Sequence, residues 1–401
     1  MKLFEKGELK VLWPFYLNEL IEYSFYIWIG FYVIYFKEIG LSFFQISLLF
    51  AVWSLAKIIF ELPTGAIADI FGKKVSVMIS YGLYTILLLV LPLVRNFYLL
   101  LLIFLLLGLS ITFYSGAEEA LVVNHLNQNK RKDLLHDYYI KYNSLASLSG
   151  IFAGLVGAFT VKYLGLSYIW TITGIMSFVS SLVILFFVKE NFKLKKISII
   201  NFIKKTYDYS KFSVKYSLNH GVLLYLILAS FFVSIYLALT GFMVWQPLLV
   251  GLNFKVYWIG YLLSLGGLIA LVIPFFSKYI LKLFKKEKYY LSFFYFVLFI
   301  ISILIYFVFN WQFAIIIFLL SLFPWELINP VNSKFFQHHT LTKYRATITS
   351  FNSMIDSGGK MIGTLITGIL LDLIGPKMTL FYSSFLLIPV IICYILIKER
   401  K

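Results

Sequence analysis

The sequence predicts an all-helical integral membrane protein of twelve transmembrane helices in two related six-helix bundles. Three observations carry that expectation: the composition, the spacing of apolar segments, and an internal repeat. Of 401 residues, 61% are hydrophobic, 20% aromatic and 13% charged, whereas a soluble domain is roughly a quarter charged and just under half apolar. A bilayer crossing takes about 20 apolar residues, so the hydrophobic share matches what twelve crossings require.

Apolar segments fall at approximately 12 to 36, 43 to 64, 75 to 94, 97 to 117, 138 to 162, 167 to 188, 221 to 249, 256 to 277, 289 to 309, 312 to 331, 346 to 371 and 376 to 397. Neither period-two alternation nor ten-residue segments occur, and helices satisfy every backbone group inside lipid, so helices are preferred to a barrel. The charged stretch from Met1 to Lys10 leads directly into a long apolar run with no small-residue cleavage site, which reads as a retained signal anchor.

The net charge of +17 is explained by topology. If the N-terminus is cytoplasmic, 28 of the 35 Lys and Arg fall on the cytoplasmic side. Five, Lys37, Arg95, Lys162, Lys255 and Lys377, fall outside, while Lys57 and Lys360 lie within spans. That is the positive-inside pattern, with both termini cytoplasmic in a multi-pass protein of the cell membrane. Nucleic-acid binding is not expected from such a distribution. The lone Cys393 excludes an internal disulfide framework and a thiolate metal cluster.

Residues 189 to 220 form a basic connector, expected to lie along anionic headgroups. It divides the chain into bundles at 1–188 and 221–401. Tyr142-Asn143-Ser144 with Gly150 and Gly154 lines up with Phe351-Asn352-Ser353, Gly359 and Gly363 at a constant offset of 209 residues. Spans five and eleven are thereby equivalent, and duplicated halves are an architecture of secondary transporters.

Between spans two and three stands Gly65-Ala66-Ile67-Ala68-Asp69-Ile70-Phe71-Gly72-Lys73-Lys74. This resembles the signature loop of the major facilitator superfamily, and with the spans, charges and repeat the resemblance covers essentially the whole chain, in a drug-exporter-like form. It implies that Gly65, Asp69, Gly72, Lys73 and Lys74 act in gating. Glu118 and Glu119, at the end of span four and the same membrane edge, can pair with the basic turn and complete the latch. Independently of the family, Gly65 allows close helix approach and Gly72 a tight turn. Two departures weaken export: Leu101 to Gly116 contains no arginine, and Leu155 stands where a proline would follow Gly154 in the antiporter motif.

Ionisable residues inside spans are costly and are functional candidates. They are Glu19, Glu22, Lys57, Glu61, Glu326, Asp356 and Lys360. Glu19 and Glu22 lie at depths where a cross-helix pair with Lys57 is possible. Lys57 with Glu61, and Asp356 with Lys360, are four apart and can pair on one helix face. Five acids against two bases leave three carboxylates to meet a proton or a cation, with Glu22 and then Asp356 the foremost candidates. Tyr23, Tyr26 and Trp245, on spans that line the cavity in that family, are candidate contacts for an aromatic or cationic substrate.

No phosphate-cradling glycine loop, nucleophile-base-acid set or metal-ligand spacing is recognisable, so an enzyme is not expected. No cofactor is expected beyond the proton gradient. The expected partners are a small-molecule substrate and the lipid bilayer, with the chain working as a monomer. The function so read is secondary active transport by alternating access, as proton-coupled export of a small amphipathic or cationic compound. A proton-coupled importer of a sugar, peptide or metabolite remains open, as does a non-transporting receptor or scaffold.

Overall fold

The computed structural model describes residues 4–190, 221–340 and 345–397. The basic connector, apart from Lys189 and Glu190, therefore lies outside the described residues. Every regular element among those described is helical. Ten helical stretches among the described residues are long and apolar enough to cross a membrane. One of them, Phe351–Leu396, runs for 46 residues, about twice the length of a crossing at 1.5 Å per residue. It is interrupted at Gly375, where φ is +74°, and so supplies two crossings. The remaining crossing is the first, which is broken into α1 (Glu8–Ser24), a short 3-10 turn (Ile27–Gly30) and α2 (Tyr32–Glu38). Twelve crossings result.

The others are built from α3 (Phe43–Phe71), α4 (Lys73–Val90), α5 (Phe97–Tyr114) with α6 (Ala117–Gln128), α7 (Leu135–Tyr163) and α8 (Tyr168–Phe187) in the first half. In the second half they are α9 (Gly221–Leu239) with α10 (Phe242–Gly251), α11 (Trp258–Val272) with α12 (Ser277–Leu281), α13 (Glu287–Ile303), α14 (Trp311–His339), α15 (Arg345–Ser383) and α16 (Leu387–Leu396).

The repeat reappears in the local chemistry of the helix ends. Asn96 caps α5 by accepting from the backbone N–H groups of Tyr98 and Leu99, and Asn310 caps α14 by accepting from Phe313. Each cap satisfies N–H groups left without a helical partner. Gly165 and Gly375, which precede the sixth and twelfth crossings, both take positive φ, +106° and +74°.

By its internal contacts the chain divides into two compact units. The first gathers Met1–Tyr35, Val52–Ile199 and Val256–Leu268, and the second Phe36–Ala51, Ile200–Lys255 and Ile269–Lys401. The two exchanged segments depart from the expected division at 188 and 221, and close packing explains each. In the first unit, Gly154 of α7 lies against the backbone of Gly260 and Ser264 in α11. In the second, Asp372 accepts from the N–H groups of Phe43 (3.1 Å) and Phe44 (2.8 Å) at the start of α3, and Gly368 leaves room for Ser47.

Each unit has its own apolar core. In the first, Leu12, Phe15, Tyr81, Leu121 and Tyr138 pack together. In the second, Leu226, Tyr290, Tyr295, Leu387 and Tyr394 do so. There α9 approaches α15 at Gly363, where a Cβ would stand 2.7 Å from the Ala238 Cβ. Gly65, read as a site of close helix approach, has nothing within 4 Å of such an atom among the described residues, and its expected packing role is corrected accordingly.

Candidate functional site

α1 carries Asn18, Glu19 and Glu22 on adjoining faces. Residues 18 and 22 are one helical turn apart and so stack on one side. Tyr81 of α4 donates its hydroxyl to Glu22 Oε2 at 2.6 Å and accepts from Asn18 Nδ2 at 2.8 Å. Glu19 is 1% exposed, and neither carboxylate oxygen has a hydrogen-bond partner among the described residues. Glu118 lies close enough to both Glu19 and Glu22 for their charges to act on one another. It is also buried, with Oε1 unpartnered.

Glu118 reaches this position because the fourth crossing is broken. α5 ends at Tyr114, Gly116 takes a left-handed φ of +69°, and α6 begins at Ala117 with Glu118 in its first turn. The helix dipole there favours a negative charge. The expectation that Glu118 pairs with the basic turn is thus corrected. The apolar run ends near residue 117, but the helix continues to Gln128, so the end of the hydrophobic stretch is not the end of the crossing. Glu119, on the other face, is exposed.

Tyrosines surround the carboxylates. The Tyr114 ring sits edge-on to Tyr81 with centroids 5.7 Å apart. Tyr23 and Tyr142 place their hydroxyls 3.5 Å apart, and Tyr142 neighbours Tyr138, whose ring stacks on Tyr16. None of the ion pairs found among the described residues involves Glu19, Glu22 or Glu118. Three neighbouring carboxylates, two of them buried, do not all carry charge at low cost unless a cation joins them or protons neutralise them.

The other predicted residues disperse. Glu61 accepts from Ser115 at 2.5 Å and is exposed, while Lys57 stands 5.8 Å from the Trp53 ring. None of the ion pairs found among the described residues joins Lys57 to Glu61 or to Glu22, so neither expected pair forms. Asp356 meets Lys360 at 2.8 Å and accepts from Ser234, which leaves it a paired carboxylate. Glu326 lies in the second unit on α14, beside Trp325. Tyr26 packs edge-on against Trp28 at 4.8 Å, and Trp245 against Phe318 at 5.1 Å.

At the signature loop, Gly72 alone joins α3 to α4, with φ +106° and ψ 151°, a conformation only glycine takes readily. Lys73 pairs with Asp69 at 2.5 Å. Lys74 Nζ donates to the carbonyls of Leu185 and Val188, both at 2.7 Å. Glu190, which the sequence reading did not single out, accepts from the backbone N–H groups of Lys73 (3.1 Å) and Lys74 (2.8 Å) and caps α4. Asn18, Tyr81 and Tyr142 were likewise missed. The signal for Asn18 was its place one turn before Glu22 in an apolar span.

Twelve crossings in two related halves, the first of which carries three carboxylates outside the ion pairs of the described residues, mark a polytopic membrane transport protein. The sequence model of the Major Facilitator Superfamily matches residues 20–364, and the chain belongs to that family. It is 24% identical over 391 residues to the uncharacterized MFS-type transporter YxaM of Bacillus subtilis (strain 168), covering 92% of this chain and 91% of that protein. Among solved structures it resembles the nucleoside transporter NupG, with a TM-score of 0.77, 13% identity, and 96% and 98% of the two chains covered. An auto inhibited POT family peptide transporter gives a TM-score of 0.76 at 13% identity, over 98% of each chain. At such identity these two likenesses concern the fold.

Proposed function

We propose that this member of the family is a secondary active transporter of the cell membrane that exports a small amphipathic or cationic compound in exchange for protons. The observation that carries the reading is the Glu19, Glu22 and Glu118 cluster, which has no ion-pair partner among the described residues. A site of that kind trades protons for a cation, because each neutralises the same buried charge. In alternating access the cluster opens to one side of the membrane with protons bound and to the other with substrate bound, and the difference in affinity supplies the coupling.

In this reading the basic face is cytoplasmic, so the abundant lysines meet anionic lipid headgroups. The proton gradient provides the driving force, no cofactor is required, and a single chain suffices. The turn of Asp69, Lys73 and Lys74, with Glu190, stabilises one of the two states.

The test uses the full chain in proteoliposomes with an imposed pH gradient and tetraphenylphosphonium as a probe cation. Glu22→Gln is expected to abolish gradient-driven flux while equilibrium exchange of the probe survives. Full gradient-driven flux in that variant overturns the carboxylate assignment.

A further inference from the structure

The first and seventh crossings break at corresponding places, but the breaks are built differently. In the first crossing seven residues separate α1 from α2, and they carry Trp28. Its indole is buried and stacks on Trp170 of α8, with centroids 5.3 Å apart and planes 20° apart. In the seventh, only Thr240 and Gly241 separate α9 from α10. No side chain there can occupy the place of Trp28. The positive-φ glycines Gly165 and Gly375 set the register of the sixth and twelfth crossings, and in that register Trp170 corresponds to Leu380. Both stacked indoles of the first half are thus missing from the second.

A cavity of about 180 Å³ lies at that place, wholly within the second unit, and Leu380, Thr240 and Gly241 all line it. Aromatic walls come from Phe242, Trp245, Phe318 and Trp325, and no charged residue lines it. The volume exceeds the roughly 150 Å³ that accepts a benzene ring.

Two hydroxyls on its wall have spent their donors. Thr240 donates to the Tyr236 carbonyl at 2.8 Å and Ser321 to the Phe318 carbonyl at 2.7 Å. The Tyr236 and Ser302 hydroxyls share one bond at 3.0 Å, which uses one of their two protons. Oxygen lone pairs remain on all four groups, so the cavity offers a guest several acceptors against a single donor.

We infer that this cavity is a binding pocket for an uncharged planar aromatic ring of phenol to indole size that carries an N–H or O–H. It takes the guest's ring where the first half places its own tryptophans. As the ring of the transported molecule, the guest rests on the transport reading above; occupancy of the pocket does not.

The test is photolabelling of the full chain in nanodiscs with a trifluoromethyl-diazirinyl phenol, mapped by mass spectrometry. Label is expected on residues 236–245, 298–305 and 317–325, and indole is expected to suppress it at least tenfold. N-methylindole should compete about tenfold less well, since it lacks the N–H. Leu380→Trp, which restores an indole, should abolish the label. Should that variant fold poorly, Ser302→Ala combined with Ser321→Ala should erase the advantage of indole over its methyl derivative.

Label spread over exposed apolar residues such as Phe275 and Leu283, with no competition by indole, overturns the inference. So does equal competition by the two indoles in the unaltered protein. Glu22→Gln should label normally. Loss of coupling in that variant without pocket labelling therefore sinks this inference alone, and labelling with coupling intact sinks the carboxylate assignment alone.

Discussion

The Tyr81 hydroxyl on α4 donates to Glu22 of α1 at 2.6 Å while accepting from Asn18, and this bond ties the third crossing to the acid cluster on the first. A phenol donating to a carboxylate stabilises the charged form and holds the group in one place. Removing one partner of a hydrogen bond to a charged group costs about 1.5–3 kcal/mol. Tyr81→Phe is accordingly predicted to lower gradient-driven flux of tetraphenylphosphonium about tenfold or more, with the protein still eluting as a folded species in gel filtration. Flux equal to that of the unaltered protein would show that Tyr81 has no part in the site.

At the first residue of α1, ahead of the apolar run that begins near residue 12, Glu8 is fully buried and accepts from Lys141 Nζ and from Tyr16. Burial pushes its carboxyl up, but the bonds from Lys141, Tyr16 and the Glu5 N–H outweigh that and hold it below the usual carboxylate range. A depressed folded-state pKa contributes stability that is present above the unfolded value and lost as pH falls through the folded one. Glu8→Gln should therefore lower the thermal midpoint at pH 7 by the equivalent of about 3 kcal/mol. The deficit should shrink as the pH falls through and below the ordinary carboxylate range, where the native carboxylate takes up its proton last. Thermal melts in detergent at several pH values check this, and a pH-independent deficit would contradict it.

Two glycines that look alike in the sequence should respond oppositely. Gly363→Val forces atoms into the α9 contact at Ala238 and Ile235 and should destabilise the protein by about 1–3 kcal/mol, the usual cost of overpacking. Gly65→Ala meets open space inside a helix and should change stability by no more than about 0.5 kcal/mol. Melting both variants beside the unaltered chain decides the matter, and equal losses would mean that Gly65 also packs closely.

Capping by Glu190 gives a fourth expectation. Glu190→Ala strips α4 of the carboxylate that accepts from the Lys73 and Lys74 N–H groups, and loss of such a cap costs about 1 kcal/mol. Hydrogen exchange at Lys73 and Lys74 should rise roughly fivefold, while exchange in the middle of α4 stays as it was. Unchanged exchange at these two amides would remove Glu190 from the turn.

Much of the fold was legible because lipid imposes length and hydropathy on every crossing. The twelve segments and the glycine repeat at span five needed nothing beyond periodicity and count. The acid cluster was legible only in part. Glu19 and Glu22 stood out because a carboxylate inside an apolar run is costly. Glu118 was placed at a membrane edge, since hydropathy registers where apolar residues stop and cannot register a helix that breaks at Gly116 and continues. Tyr81 and Tyr142 were hidden by abundance: among 29 tyrosines, nothing local distinguishes one that meets a carboxylate from one that faces lipid. Lys57 shows the opposite error, since spacing of four permits an ion pair and does not require it. The cavity at Leu380 depended on what the second half lacks, which becomes visible only when the two breaks are compared in three dimensions.

The central claim is that Glu19, Glu22 and Glu118 exchange protons for a cation. Proton release on addition of tetraphenylphosphonium to the purified protein, in weakly buffered detergent solution with a pH indicator, tests it most directly. The unaltered protein should release protons saturably, and Glu19→Gln combined with Glu22→Gln should release almost none. Saturable binding without proton release in the unaltered protein, or undiminished release in the double variant, would contradict the account.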